Sequence, residues 1–386
     1  MWKHVAANAL TVGIVVVLAV AVAIGIGRSQ WSAAGPLREA TFFEVPRGAS
    51  LRQVSEALEV AGIVASDTVF RLGAEYTDRA DQLKFGTYEI PPRAPMPAVL
   101  DILTAGGAGV NPFTVLYVVS TGGVGEYRLR ERRPGGAEAE EVARFAPGDP
   151  VPEAHEAVLR GDESVVTRVA VAPGLTSWEV VEGLRGADFL EGEVEAVPAE
   201  GSLAPDSYEV SRGSTRAALL ERMAEAQGRR LAALWAERAP GLPVETPQEA
   251  LVLASIVEKE TGVPEERETV AAVFVNRLRE GMRLQTDPTV IYGITRGEGP
   301  LGRGLRASEL RQETPWNTYV IAGLPPTPIA NPGEAAIRAA LNPDGTDYLF
   351  FVADGTGGHA FARTLGEHNE NVARWRAIEA ERSDGG

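Results

Sequence analysis

The run Leu251-Val252-Leu253-Ala254-Ser255-Ile256-Val257-Glu258-Lys259-Glu260-Thr261 decides the fold of this chain. Apolar and small residues lead into three consecutive charged residues, with no glycine or proline between them. Pro247 lies just before the run and Gly262 just after it, which predicts one helix of about four turns. Because both faces are largely apolar, we expect this helix to be buried on most sides.

The two glutamates at the end of this helix point in nearly opposite directions. At about 100° per residue, Glu258 shares a face with Ala254 and Ser255, whereas Glu260 lies with Leu253 and Ile256. The small residues leave room for a ligand beside Glu258, and loss of solvation favours a neutral carboxyl group that could act as a general acid. The alternative interpretation is that both glutamates form a solvated helix end with the lysine between them.

Composition excludes several classes of function. The chain has 386 residues and a net charge of −16, and no face concentrates basic residues, so a nucleic-acid partner is not expected. It has no cysteine and only four scattered histidines, so the sequence predicts no disulfide, no metal site and no cofactor.

The N-terminal region predicts a membrane anchor. Residues 5–27 are almost wholly apolar and carry no charge. As a helix they would span about 34 Å, enough for a bilayer core and longer than a cleavable signal sequence. Lys3 before the run and Arg28 after it weakly favour a cytoplasmic N-terminus. We therefore predict a single-pass protein of the plasma (inner) membrane, with residues 1–28 as cytoplasmic stub and anchor and the rest on the periplasmic or extracytoplasmic side.

The remaining chain predicts an α+β protein with two folded parts. We assign residues 29–39 to a short polar linker and 40–108 to a small α+β subdomain. Residues 109–164 are predicted to be a strand followed by an inserted, partly mobile surface segment from 120 to 163. The basic cluster at 128–133 is predicted to be a solvated strand or loop, with contact to an anionic polymer as the alternative. Residues 165–386 form a second, mixed α+β domain.

A cluster of polar residues follows the central helix. Amides, hydroxyls and aromatic rings with few carboxylates suit a neutral ligand rich in hydroxyl groups, such as a sugar stacked on Trp316 or Tyr319. Taken singly, Asp287 is most simply a helix N-cap, and Asn276 and Arg277 an exposed helix turn. The cluster comprises Asn276, Arg277, Gln285, Thr286, Asp287, Thr289, Asn317, Thr318 and Tyr319.

At these residues the chain resembles the endolytic murein transglycosylases, also called the YceG-like family. The similar motifs occur in the family's order, and the match extends from about residue 251 to 374. They are ASIVEKET at 254–261, VNRL at 275–278, MRLQTDPTVIYG at 282–293, NTY at 317–319, GLPP at 323–326 and GGHAF at 357–361. A looser similarity over residues 40–107 resembles the family's LysM-like subdomain.

The resemblance implies an enzyme that cuts the β-1,4 bond between N-acetylmuramic acid and N-acetylglucosamine inside peptidoglycan strands. Such an enzyme leaves 1,6-anhydro ends, terminates nascent strands and works beside peptidoglycan synthases. The resemblance implies Glu258 as the catalytic acid and base, and the helix faces also favour it over Glu260. We therefore predict that Glu258→Gln abolishes turnover with folding intact, and that Glu260 is a structural partner, for example of an arginine. Candidates for substrate binding are Gln285, Thr286, Asp287, Asn317, Tyr319, Asn276 and Tyr208.

Two alternatives stay open. A hydrolase could use Ser255 and Lys259, although the flanking glutamates oppose the depressed lysine pKa that it needs. A non-catalytic, membrane-anchored scaffold could bind peptidoglycan through the LysM-like part. The loop at 200–208 keeps this second interpretation open, because it retains Pro205, Asp206 and Tyr208 but lacks the aromatic residues of the family's loop.

Overall fold

The computed structural model describes residues 2–105, 110–136, 138–160, 165–211 and 213–384. The chain divides into two compact units. The first comprises Met1–Val115, Leu129–Ala143 and Val151–Val166, and the second Leu116–Arg128, Arg144–Pro150 and Thr167–Gly386. The predicted boundaries at 108 and 164 lie outside the described residues. The mixed α+β class is confirmed, whereas the LysM likeness stays a prediction.

The first unit begins with a long helix that leads into a small α+β fold. Its elements are α1 (Trp2–Ser32), β1 (Thr41–Val45), α2 (Leu51–Val60), α3 (Asp67–Tyr76), β2 (Gly86–Ile90) and α4 (Met96–Thr104). β1 pairs antiparallel with β2, with Thr41 opposite Ile90. Ser50 begins α2 in a capping box with Gln53. The core is apolar and includes Leu58, Phe70 and Leu100.

The N-terminal helix fits a single-pass membrane anchor. The most apolar 18-residue window of its segment Leu10–Ser32 has a mean hydropathy of 2.8, and none of this window is buried inside the protein. Within the described part of the chain it is the one helix that meets the length and apolarity of a membrane span. The predicted start of the polar linker at residue 29 is wrong, because the helix continues through Ser32.

Five strands form one sheet in the order β5-β4-β3-β6-β7. They are β3 (Phe113–Ser120), β4 (Val124–Arg132), β5 (Ala139–Phe145), β6 (Val165–Val171) and β7 (Ser207–Val210). β6 and β7 are antiparallel, with Val169 opposite Tyr208. Helix α5 (Glu153–Arg160) lies between β5 and β6 in sequence.

The predicted inserted segment is therefore largely regular structure, which corrects the sequence interpretation. β4 buries Tyr127 and Leu129 at alternate positions, the period of a half-buried strand. Charged residues lie between these positions, so the sequence did not indicate a half-buried strand here. Residues 128–132 of the basic cluster lie on this strand, and several guanidinium groups of the cluster are paired, among them Arg128 with Glu126 at 2.6 Å. Because these arginines already face carboxylates of the protein, contact of the basic cluster with an anionic polymer is disfavoured.

The second unit is built around α8 (Pro247–Glu260), the helix predicted from the opening run. Its residues from Ala250 to Val257 are all buried, as predicted. Thr246 and Glu249 form a capping box at its start. The elements of this unit are α6 (Ser177–Arg185), α7 (Arg216–Ala236), α8, α9 (Arg267–Arg279), α10 (Asp287–Thr295), α11 (Glu334–Leu341), β8 (Phe350–Ala353), β9 (His359–Ala362) and α12 (Leu365–Asp384).

The helix cap predicted at Asp287 is displaced by one residue, and this affects the site. Thr286 occupies the N-cap position of α10, so that Asp287 and Pro288 are its first two residues. The Asp287 carboxylate is therefore released from the capping role that its sequence position suggested.

Candidate active site

The end of α8 presents its two glutamates to different surroundings. The Glu260 carboxyl group accepts a hydrogen bond through Oε1 from the Thr286 hydroxyl, in place of the predicted arginine partner. Burial raises the pKa of Glu260, and the nearby charge of Asp287 raises it further. The Thr286 hydrogen bond and the charges of His359 and Arg277 oppose this rise without reversing it. Glu260 consequently retains its proton to a higher pH than an ordinary glutamate, as a general acid requires.

Three threonines hold the segment that faces Glu260. The Thr286 backbone N–H donates to Thr318 Oγ1 at 3.0 Å, and the hydroxyls of Thr289 and Thr318 lie 2.8 Å apart. The preceding residue, Gln285, has a φ of 49°, and its N–H donates to the Thr318 carbonyl at 3.2 Å. Backbone contacts thus fix the loop before α10, while Gln285 itself is exposed.

Asp287 and Tyr319 form a second polar pair in this region. The Tyr319 hydroxyl donates to Asp287 Oδ1 at 2.7 Å. Burial raises the pKa of Tyr319, so the phenol stays protonated and keeps donating. Asp287 is exposed, and its charge is among those that act on Glu260. Four of the predicted substrate-binding residues, Gln285, Thr286, Asp287 and Tyr319, therefore lie together.

Arg277 is part of the support for this group, which corrects the exposed helix turn predicted for it. The residue is buried, and its guanidinium donates to the Leu349 carbonyl at 2.6 Å and to the Leu284 carbonyl. Its positive charge acts on both Glu260 and Tyr319. Burial lowers the pKa of Arg277, and these two neighbours oppose that change.

A glutamate–histidine pair adjoins this group and was not predicted. Glu266 accepts from the His359 backbone N–H at 2.9 Å and lies 2.8 Å from its Nδ1. A Cβ at Gly358 would come within 2.5 Å of Glu266 Oε1, so a larger residue there would displace this carboxylate. The GGHAF motif was the signal in the sequence, but it did not reveal the partner, which is 93 residues away.

Glu258 lies in different surroundings. Its Oε2 accepts from the Gly333 backbone N–H at 2.8 Å, at the N-cap of α11. A cavity of about 210 Å³ adjoins it, lined in part by Gly174 and Lys259. This volume is below the roughly 300–1,000 Å³ of typical ligand pockets. Ala254 and Ser255, which were expected to leave room for a ligand beside Glu258, are both fully buried and do not line this cavity.

Ser255 and Lys259 do not form the pair that a hydrolase would need. The Ser255 hydroxyl donates to the Val252 carbonyl at 2.7 Å and accepts from the Ile329 N–H at 3.0 Å. The Lys259 ammonium donates to the Gly174 carbonyl at 3.2 Å. Both groups are therefore engaged with backbone, which disfavours this alternative.

Three other predicted binding residues use their side chains within the protein. Asn317 is fully buried, and its amide donates to backbone carbonyls, that of Gln312 at 2.7 Å among them. Asn276 donates to the Thr346 carbonyl at 2.9 Å. The Tyr208 hydroxyl donates to the Ala204 carbonyl at 2.7 Å. These side chains hold loops in place, and their direct contact with a substrate stays a prediction.

The stability of the protein should depend on the proton held by Glu260. The ordinary pKa of a glutamate, 4.5, is raised in the fold, so the folded state binds more protons than the unfolded chain between the two values. The part of the folding stability that depends on the neutral carboxyl group is fully present below pH 4.5. It is lost as the pH rises through the pKa that Glu260 has in the folded state. We expect Glu260→Gln to melt at a higher temperature than the wild type at pH 7, with a smaller difference at pH 4.5.

Thermal unfolding of both proteins across this pH range measures the effect. Glu370→Gln, at an exposed position on α12, is the matched control and should follow the wild type. A difference in melting temperature between Glu260→Gln and the wild type that stays constant at every pH would contradict the assignment of the proton.

Comparison with known proteins identifies the family. The YceG-like family model matches residues 43–124 and 143–374. The chain belongs to the YceG-like family. A relative named endolytic murein transglycosylase, from Bacillus subtilis, is 44% identical over 120 residues, which cover 31% of this chain and 32% of that protein. Another of the same name, from Streptococcus pneumoniae, is 28% identical over 347 residues, covering 85% of this chain and 57% of that protein.

The alignments of this YceG-like chain thus span about a third of the first relative and somewhat over half of the second. Among solved structures, a YceG-like protein of Listeria monocytogenes is 23% identical and aligns with a TM-score of 0.43. That alignment covers 86% of this chain and 99% of the other.

Proposed function

We propose that this protein is a lytic transglycosylase that cuts peptidoglycan strands internally, with Glu260 as its general acid and base. The proposal depends on the raised pKa of the Glu260 carboxyl group. Burial causes this rise, and the group lies beside Thr286, Asp287 and Tyr319. The relatives named endolytic murein transglycosylase support the reaction class. The sequence prediction of Glu258 as the acid is the competing assignment.

One carboxyl group suffices for the reaction. Glu260 donates its proton to the bridging oxygen as the bond from the muramyl C1 to that oxygen breaks. The muramyl 6-hydroxyl then attacks C1 and returns its proton to the Glu260 carboxylate. The product carries a 1,6-anhydro ring, and no water is consumed.

Neighbouring residues suit the positive charge that develops at the anomeric carbon. Asp287 supplies an exposed carboxylate, which the Tyr319 hydroxyl orients through the bond of 2.7 Å. Such fixed charge stabilises an oxocarbenium-like transition state more than the ground state. We assign the positioning of sugar groups to Gln285, which is exposed at the start of this loop.

The cellular setting follows from the substrate. A single-pass anchor formed by α1 would hold the catalytic part on the extracytoplasmic side, where peptidoglycan lies. The association with peptidoglycan synthases and the termination of nascent strands stay predictions.

Mass analysis of purified glycan strands incubated with the protein tests the function. We expect shorter strands that end in 1,6-anhydromuramic acid, with cuts inside the strand. Ends that had gained one water would contradict the transglycosylase and indicate a hydrolase. Retention of strands without any product would instead support the non-catalytic scaffold.

A further inference from the structure

A groove in the first unit runs between the membrane-anchor helix and α3. Its volume is about 810 Å³. Val20 and Ile24 of α1 form part of one wall, and Leu72 and Tyr76 of α3 contribute to the other. The groove is therefore largely apolar on both sides.

The crossing of α1 and α3 is closely packed. The Trp31 ring lies against Gly73, where an added Cβ would come within 2.2 Å of it, so a larger residue would push the ring away. The same ring packs on Phe70 with a centroid distance of 6.3 Å. Because α1 is helical through Ser32, this contact fixes the direction in which the anchor leaves α3.

Helix α3 exposes apolar side chains that the core does not use. Phe70 and Ala74 are buried in the core of the first unit. Leu72 and Tyr76 lie four residues apart and therefore share another face of the helix. Leu72 is 57% exposed and Tyr76 is 85% exposed.

The position of α1 in a bilayer indicates what covers this face. Arg28 is the first charge after the apolar run, so in a helix that spans a bilayer it would mark the boundary with the headgroups. Val20 and Ile24 precede it by up to about two turns, within the hydrocarbon region. The α3 wall of the same groove consequently lies at the depth of the headgroups and upper acyl chains, where tyrosine is enriched.

We propose that α3 makes a second contact with the membrane, in which phospholipid acyl chains fill the groove and Leu72 and Tyr76 enter the bilayer interface. The two apolar walls suit acyl chains better than water. The proposal rests on α1 spanning the bilayer and is independent of the glycan-cleaving activity.

Spin labels on single cysteines test this contact, because the chain has no cysteine of its own. Leu72→Cys and Tyr76→Cys are labelled in the whole chain, in vesicles of phosphatidylcholine and phosphatidylglycerol. Collision of each label with oxygen, which enters lipid, is compared with collision with a water-soluble nickel chelate. Val60→Cys is the matched control, since Val60 is an apolar residue that is 90% exposed on α2. Val16→Cys reports on the span itself.

We expect the ratio of oxygen to nickel collisions at positions 72 and 76 to be severalfold higher than at position 60 and closer to that at position 16. Ratios at 72 and 76 equal to that at 60, with 16 in lipid, would overturn the proposal. Spin–spin broadening at 72 would also overturn it, by showing that a second copy of the chain covers this face. A label at 16 in water would overturn both the anchor and the groove assignment, without bearing on catalysis.

Discussion

Glu260→Gln is expected to lower kcat/KM for glycan cleavage by about 10²–10⁴-fold, the range for loss of a general acid. Glutamine cannot donate the proton, yet its carbonyl oxygen can still accept the Thr286 hydrogen bond. The fold should therefore persist while turnover is lost.

Glu258→Gln is the matched comparison on the same helix. The Gly333 N–H donates to Glu258 Oε2 at 2.8 Å, and the amide oxygen of glutamine can still accept this bond. We expect activity within about tenfold of the wild type, equivalent to less than about 1.4 kcal/mol of transition-state stabilisation. Activity is measured as the rate at which 1,6-anhydro ends appear, with folding checked by circular dichroism.

The reverse result would reassign the acid. If Glu258→Gln lost turnover while Glu260→Gln kept it, the prediction made from the helix faces would hold and Glu260 would be structural. If both variants kept normal turnover, neither glutamate would be the acid. If the wild type gave no product either, the scaffold interpretation would gain support.

Asn331→Ala is expected to lower the free energy of unfolding by about 2–4 kcal/mol, as for loss of a buried hydrogen-bond network. Asn331 is fully buried. Its Oδ1 accepts from the Leu203 N–H at 2.9 Å, and its Nδ2 donates to the Leu175 carbonyl at 3.0 Å. Alanine leaves the Leu203 N–H without this partner and removes buried volume.

Guanidinium denaturation followed by tryptophan fluorescence measures this change as a lower midpoint at unchanged slope. Asn369→Ala, at an exposed position in α12, is the control and should change the free energy by no more than about 0.5 kcal/mol. A midpoint for Asn331→Ala equal to that of this control would show that the hydrogen bonds from Asn331 to Leu203 and Leu175 contribute nothing to stability.

The sequence alone was sufficient to predict those helices whose pattern of apolar residues lies within one short segment. Helix α8 was predicted because its apolar residues continue on both faces between Pro247 and Gly262. The anchor was predicted from an uncharged apolar run. Strand β4 was missed because charged residues alternate with its buried ones, and local composition then resembled a surface loop.

The sequence also determined which residues could do the chemistry, but only tertiary structure decided which of them meet. The two glutamates face apart on any helix, so α8 alone cannot show that Glu260 is the one beside Thr286. Hydrogen bonding is equally non-local, since Asn317 and Asn276 donate to backbone carbonyls that only the folded loops bring within reach. The ionisation of Glu260 follows from burial by residues distant in sequence, and desolvation is a property of the packed site rather than of the helix that carries it.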